Sequence, residues 1–342
     1  MQWERTLDLL LVHCEGEIGK VIVGGAPDIP GTTLLDKMNH INQVDDSLRR
    51  IVTREPRGFA QMSVNLLTPP ASADTHAGFI VLQADRAHPM SGSNCICVVT
   101  ALIESGRVEA TGEKTVVRLD TPAGRIEAIA HVEGGSCRSV SLDNVPAFAE
   151  SLDLPVETPE WGRIKADIAF GGVYYAIVDV EQIGLAIDAG NSRALAEIGM
   201  RLHALISQQV KVQHPLRPGI DKIAYVMFRS TQPDGVISTC TTLASRVDRS
   251  PCGTGSSANL ATLFARGLVG IGDTRWSRSV TGGMFKVEAI GQTTVAGRPA
   301  VIPRITGRGW VYGKETLRMD ASDPFQTGFT LSDAWGLQAD EA

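Results

Sequence analysis

Long uncharged apolar runs are missing from the 342 residues of this chain. With them goes any sequence signature of a membrane-spanning helix. The opening residues, Met1-Gln2-Trp3-Glu4-Arg5, are charged and lead straight into a short strand-like run, Leu7 to His13. No secretory leader is read there, and the expectation is a soluble, cytoplasmic protein with no membrane partner. Basic runs are missing as well. With a formal net charge of −6 and 5% aromatic residues, the chain offers neither a cationic stripe nor an aromatic platform, so no nucleic-acid partner is expected. Cysteine is scarce: six residues, at positions 14, 95, 97, 137, 240 and 252, are too sparse for a disulfide scaffold in a chain this long. None stand as Cys-x-x-Cys, and no histidine–cysteine spacing matches a zinc site, so no metal is expected. Gly31-Thr32-Thr33 lacks the Gly-Lys-Ser/Thr that a phosphate loop requires.

What remains is a chain with 43% hydrophobic content, long enough for two domains of ordinary size. Short apolar runs bounded by glycine turns dominate and read as strands. In the first half these are Leu7–His13, Lys20–Gly24, Ala60–Leu67, Ala77–Leu82, Glu113–Leu119, Gly124–His131 and Ser136–Leu142. Thr33 is placed to cap a helix from Leu34 to about Arg50, and Cys95–Glu104 reads as a helix ended by Gly106. Phe148–Glu160, carrying Pro155 and Pro159, reads as a crossing between halves. The second half adds strands at Arg163–Ala169, Val173–Val180, Ile223–Arg229, Val236–Ala244, Val287–Ile290, Ala300–Ile305 and Gly309–Tyr312. Its plainest helix is Asn191–Val210, where Leu195, Ile198, Leu202, Leu205 and Ile206 recur at helical spacing.

Two short segments carry chemistry. Asp248-Arg249-Ser250-Pro251-Cys252-Gly253-Thr254-Gly255 runs into a helical pattern from Ala258 to Gly267. Pro251 suits a first helical turn, and Gly253 and Gly255 let backbone amides approach a ligand. Unpaired amides and the helix dipole favour a bound carboxylate and, by the same field, the thiolate of Cys252. A lone cysteine is more often a buried structural one; Pro-Cys-Gly-x-Gly at a helix start shifts that balance. Met90-Ser91-Gly92-Ser93-Asn94 repeats the layout before the earlier helix, 161 positions upstream (252 − 91). A single Ser-Gly there is usually only a helix cap, but the pair suggests two related halves, each presenting one helix N-terminus to a shared cleft. Gly92, Ser93, Gly253 and Thr254 are the candidate carboxylate cradle, with Ser91 and Cys252 the candidate catalytic pair. His88 is within reach of the first segment, although a histidine before proline is more often a surface residue. Glu17 and Arg57 fit structural turns, and Tyr174-Tyr175 reads as core or pocket wall.

On these residues the chain resembles the proline racemase family over essentially its whole length. The specific matches are Asp248 to Gly255 and Met90-Ser91-Gly92. His13…Gly16-Glu17, Glu55-Pro56-Arg57-Gly58, Asp167-Ile168-Ala169-Phe170-Gly171-Gly172 and Asp323-Pro324-Phe325…Gly328-Phe329 support them. The resemblance implies an α/β (α+β) fold of two pseudo-symmetric domains of the diaminopimelate-epimerase type. Each would be a curled sheet or barrel around a central helix, with the active site in the cleft between them. Boundaries are expected at 1–155 for the domain carrying Ser91, completed by the C-terminal segment 325–342, and 156–324 for the domain carrying Cys252. It also implies a homodimer, no cofactor, a small imino-acid substrate, and Asp248 as the contact to the substrate ring nitrogen, a role that competes with a plain Asx turn.

Racemases and epimerases of the family use two cysteines, one on each face of the substrate α-carbon. Here Ser91 takes the first position, and Ser93 stands where the family often has histidine. A serine hydroxyl is barely acidic without an activating neighbour, and the local sequence shows none. Two-faced proton transfer should therefore suffer more than elimination, in which groups on one ring face suffice. Family members with serine or threonine in place of one cysteine resemble trans-3-hydroxy-L-proline dehydratases, and some serine–cysteine members are associated with 4-hydroxyproline epimerisation. With the argument above, the resemblance implies dehydration of trans-3-hydroxy-L-proline to Δ1-pyrroline-2-carboxylate, with 4-hydroxyproline 2-epimerisation as the second reading and proline racemisation behind it. A cysteine hydrolase using Cys252 with His203 or His214 is a weaker alternative.

Overall fold

The computed structural model of the chain describes residues 6–243 and 246–335. In chain order the first elements are β1 (Thr6–Cys14), β2 (Glu17–Ile18), β3 (Lys20–Gly24), α1 (Leu34–Gln43), α2 (Ser47–Thr53), β4 (Ser63–Thr68), β5 (Ala77–Gln83), β6 (Ala87–His88), α3 (Gly92–Glu104), β7 (Lys114–Thr121), β8 (Gly124–Glu133) and β9 (Ser136–Asp143). They are followed by β10 (Phe148–Thr158), β11 (Gly162–Phe170), β12 (Tyr174–Asp179), α4 (Ser192–Gln209), β13 (Ile223–Thr231), β14 (Ile237–Leu243), β15 (Arg246–Val247) and α5 (Gly253–Ala265). The chain closes with β16 (Thr274–Arg278), β17 (Met284–Val295), β18 (Arg298–Gly307), β19 (Gly309–Arg318) and the short α6 (Ser332–Trp335). Contacts divide it into two compact units, residues 1–141 with 308–342, and residues 142–307.

Within the first unit β1 pairs antiparallel with β3 and with β19. The ladder continues as β3–β4 parallel, β4–β5 antiparallel, β5–β7 parallel and β7–β8 antiparallel. The second unit repeats that sequence of pairings. Strand β11 pairs antiparallel with β10 and β12, and β12–β13 parallel, β13–β14 antiparallel, β14–β16 parallel and β16–β17 antiparallel follow. The helices fall at matching places: α1 and α2 lie between β3 and β4 as α4 lies between β12 and β13, and α3 and α5 each follow a two-residue strand. The structure is therefore mixed α/β, with two topologically matched halves.

Strand alternation explains how each sheet holds a helix on both faces. On β12 and β13, Tyr174, Ala176, Val178, Val226 and Phe228 join Leu195, Leu202 and Ile206 of α4 in one core. The alternate residues Tyr175, Ile177, Tyr225 and Met227 pack with Cys252 and Ala258 at the start of α5. The period of two in strand side chains makes this division. Strands covered on both faces read as continuous apolar runs in the sequence, and most of the strands expected from it lie within one to three residues of the observed ones.

Three local expectations are corrected. The helix capped by Thr33 forms, with Thr33 and Asp36 in a capping box. It stops at Gln43 instead of reaching Arg50, because Asp45 accepts a hydrogen bond from the Ser47 amide and starts a new helix. The segment at 148–160 is a strand, β10, not a bare crossing; two register shifts and a left-handed Asp153 (φ 52°) absorb its irregular sequence. Pro251 precedes the cap of α5 and lies outside its first turn, since Cys252 is the N-cap residue. Among the described residues no helix is long and apolar enough to cross a membrane.

Candidate active site

Helices α3 and α5, each of 13 residues, are the buried helices of their units, and each begins at one of the two sequence motifs. Ser91 is the N-cap residue of α3, yet its hydroxyl caps no backbone amide. Instead Ser91 Oγ accepts a hydrogen bond from Asn94 Nδ2 at 3.0 Å and lies 3.3 Å from Ser93 Oγ. The Asn94 amide is fixed from behind. Its Oδ1 accepts from Ser63 Oγ and Asn65 Nδ2, both at 3.0 Å, on the face of β4 turned to α3. Asn65 in turn donates to the Lys20 carbonyl at 3.2 Å. Ser63, Asn65 and Asn94 are all at most 2% exposed, so this chain of amides is shielded from competing water. Gly92 and Ser93 supply the first-turn amides of α3, which have no acceptor within a helix.

Cys252 is likewise the N-cap residue of α5, with no side-chain cap assigned to it. It is held at φ 63°, an uncommon conformation for a residue with a Cβ. Its amide donates to Ser250 Oγ at 3.2 Å. Asp248 Oδ1 accepts from the Ser250 amide and hydroxyl at 2.8 and 2.9 Å, the Asx turn that orients the loop. The sulfur lies 3.3 Å from Tyr175 Oη and 3.8 Å from Thr254 Oγ1, and these two oxygens are 2.7 Å apart. Gly253 and Thr254 provide the first-turn amides. Thus Ser91, Gly92 and Ser93 gather at one helix start, and Asp248, Cys252, Gly253 and Thr254 at the other.

Glycines let the sheet approach α5 at backbone distance. A Cβ on Gly171 would stand 2.2 Å from the Thr254 carbonyl oxygen and 2.5 Å from the Ala258 amide nitrogen. Asn144 Nδ2 ties the Gly171 carbonyl to Ser257 of the helix at 2.8 Å each.

The expectation that the helix start favours the thiolate is overturned. Burial pushes the Cys252 thiol up to about 11, and the Asp248 charge pushes the same way. The Tyr175 and Thr241 hydroxyls and the Gly255 amide act in the opposite direction without reversing it. Desolvation of an anion outweighs the helix end here.

Other candidates lie elsewhere. His88 pairs with Asp85 at 3.1 Å. Arg57 donates to Asp323 and to the carbonyls of Phe325 and Gln326, so the Glu55–Gly58 and Asp323–Phe329 matches meet as structure. Asp167 likewise is structural: burial raises its carboxyl, but Arg266 and Arg229, at 2.7 and 2.9 Å, bring it below the ordinary value. His203 binds the Ile223 carbonyl, and His214 packs edge-on against Phe148 and Phe170; the hydrolase alternative loses both partners. Asn94 and Tyr175 join the site. Asn94 lies inside the Met90–Asn94 motif, whereas nothing in the local sequence marks which ring of Tyr174-Tyr175, expected as core or pocket wall, faces the sulfur.

Comparison with known proteins adds the family. The proline racemase family model matches residues 9–330. A 4-hydroxyproline 2-epimerase of Allorhizobium ampelinum is 53% identical over 343 residues, covering 99% of each chain. A protein of the same description from Agrobacterium fabrum is 51% identical over 342 residues, again covering 99% of each. The crystal structure of a hydroxyproline epimerase from Agrobacterium vitis, with bound trans-4-hydroxy-L-proline, superposes with a TM-score of 0.91 at 52% identity, covering 100% of this chain and 99% of that one.

These relatives overturn the expected dehydration of trans-3-hydroxy-L-proline, since proteins more than half identical over nearly their full length are described as epimerases. The difference lies at Ser91: intrinsic acidity and adjacent residues do not show the buried Asn94 amide that donates to its hydroxyl. The match over 9–330 and these identities place the chain, an enzyme, in the proline racemase family.

Proposed function

We propose that the protein interconverts trans-4-hydroxy-L-proline and cis-4-hydroxy-D-proline by moving the proton on the α-carbon, with no cofactor. The observation that carries this reading is the likeness to 4-hydroxyproline 2-epimerases at 51–53% identity over 99% of both chains. The bound trans-4-hydroxy-L-proline of the similar Agrobacterium vitis enzyme supports it.

In this reading each of the two helix starts supplies groups to the reaction. The first-turn amides of Gly92, Ser93, Gly253 and Thr254 take the carboxylate, where negative charge accumulates as the C–H bond breaks. Asp248, oriented by Ser250, meets the cationic ring nitrogen. Ser91 and Cys252 are the acid–base pair. One removes the α-proton, the electron pair moves into the carboxylate, and the other delivers its own proton to the opposite face of the carbon. The configuration inverts, and the two residues exchange protonation states, ready for the reverse reaction. The substrate cation offsets the Asp248 charge that holds Cys252 up, so binding itself increases the acidity of the thiol. Asn94, by donating to Ser91 Oγ, stabilises whatever negative charge that oxygen carries. Assembly as a homodimer completes the proposal and is tested by sedimentation.

Incubation with trans-4-hydroxy-L-proline in D2O, followed by chiral chromatography and mass spectrometry, is expected to give the cis-D epimer carrying one α-deuterium. No imine should be trapped by 2-aminobenzaldehyde from trans-3-hydroxy-L-proline. Imine formation with no inversion of the 4-hydroxy substrate would overturn the reading.

A further inference from the structure

The proposed reaction asks Cys252 to ionise repeatedly in a site where the polar side chains at its sulfur, those of Tyr175, Thr254 and Thr241, are neutral hydroxyls, with Met227 packed in the same cluster. Tyr175, at 3.3 Å, is nearer than Thr254 at 3.8 Å. It is fully buried, and its strand is fixed on both sides, with Tyr175 opposite Ala169 of β11 and Tyr225 of β13. Its ring leans on that of Tyr225, centroids 5.6 Å apart. The phenol therefore has little freedom beyond rotation of its O–H. That O–H has two acceptors in range, Thr254 Oγ1 at 2.7 Å and the sulfur at 3.3 Å. A phenol carries one proton and can donate to only one of them at a time.

Resting on the epimerase reading of Cys252, we propose that Tyr175 is a positioning residue whose O–H donates to Thr254 Oγ1 while Cys252 is a thiol, and turns onto the sulfur when Cys252 becomes a thiolate. No bond forms or breaks at Tyr175. Only the direction of its O–H changes, and the Thr254 hydroxyl reverses with it to donate to the phenol oxygen. Burial and the neighbouring sulfur hold the Tyr175 phenol well above its ordinary value, so it keeps its proton through the range in which the thiol loses its own. The arrangement supplies a charge-assisted hydrogen bond to the thiolate that the thiol does not enjoy. It thereby favours the basic form of Cys252 without a permanent cation that would trap it there.

The test is the pH dependence of Cys252 alkylation by iodoacetamide, with Cys252→Ala as the blank for the other cysteines. Tyr175→Phe is expected to raise the alkylation midpoint by about one pH unit and to slow alkylation about tenfold at any pH below it. Its kcat/KM profile for trans-4-hydroxy-L-proline should move upward by the same amount. Replacing the four tyrosines by 3-fluorotyrosine, a stronger donor of nearly the same shape, should move the midpoint down. A merely structural role does not give shifts of opposite sign. An unmoved midpoint in Tyr175→Phe, or shifts of the same sign in both proteins, overturns the proposal. Should Tyr175→Phe not fold, the fluorotyrosine protein decides alone: a lowered midpoint supports the proposal and an unchanged one overturns it. Alkylation needs no substrate, so these shifts in a protein without epimerase activity would defeat the proposed reaction and leave Tyr175 in its role.

Discussion

Asn94 decides what Ser91 is worth. Its carbonyl oxygen is occupied by Ser63 and Asn65, so the amide cannot rotate and its NH2 must point at Ser91 Oγ. That leaves the Ser91 hydrogen to Ser93 Oγ, 3.3 Å away, or to a ligand, and gives any negative charge on the oxygen a fixed donor. Asn94→Asp keeps the shape and the acceptor but removes the donor. It is expected to lower kcat for epimerisation by about 10- to 100-fold, the worth of a hydrogen bond to a charged group, with a smaller change in KM. Asn94→Ala also leaves two buried donors unmet, and should cost about 1–3 kcal/mol in urea unfolding besides. Steady-state kinetics with parallel unfolding curves separate the two effects; wild-type kcat in Asn94→Asp would show that the donor is not needed. The serine itself was legible in the sequence, as was the cysteine, because each precedes a glycine at a helix start. What made the serine usable was not. The donor lies three residues along, but the groups that aim it come from β4, 29 and 31 positions earlier, and only the fold brings that strand under the helix. Tyr174-Tyr175 was legible as core or pocket wall, but a strand covered on both faces gives no alternation to show which of the two rings meets the sulfur.

The start of α5 depends on how closely β11 approaches it. At Gly171 a methyl group would meet the helix backbone itself, at 2.2 and 2.5 Å, and neither contact is the movable end of a side chain. Gly171→Ala is therefore expected to displace the first turn of α5, lower stability by about 3 kcal/mol, and reduce activity together with it. Gly219, where nothing stands within 4 Å of an added Cβ, is the control, and Gly219→Ala should stay within about 0.5 kcal/mol. Thermal melts of the two variants check the contrast; equal melting points would mean that β11 yields to the added carbon. The sequence showed Gly171-Gly172 as part of a matched motif but not its partner, since a close backbone approach leaves no trace except the missing side chain. Element boundaries were lost in the same way. The Asp45–Ser47 turn that interrupts the first helix and the register shifts of β10 between Ala149 and Leu154 are local hydrogen-bond choices, whereas apolar spacing reports only what a segment buries.

The matched pairing order of the two units sets each buried helix among strands on every side, and this has a consequence for alkaline stability. All six cysteines are buried and unpaired by disulfide. Five have thiols raised by burial: Cys95 and Cys240 to about 12, Cys137 and Cys252 to about 11, and Cys97 well above the ordinary 9.0. Folded, these groups keep their protons past pH 9; unfolded, they release them there. Below pH 9 both states are protonated and the full stability is present. As the pH rises from 9 toward 11–12 the unfolded chain is the one that gains by ionising, so each such thiol lowers stability by about 1.4 kcal/mol per pH unit until its folded value is reached. Unfolding in urea at pH 10 is then expected to release roughly four protons from thiols, and almost none from them at pH 7. A pH-stat reading during unfolding gives this release together with that of the raised Tyr174, Tyr175 and Tyr312 phenols, without assuming that the two units unfold together, so the thiol share is read from the difference between cysteine variants. Cys240→Ala, which deletes one raised thiol from the core beside α4, should reduce the release at pH 10 by about one proton. An unchanged count in that variant would mean that Cys240 ionises as readily in the folded protein as in water.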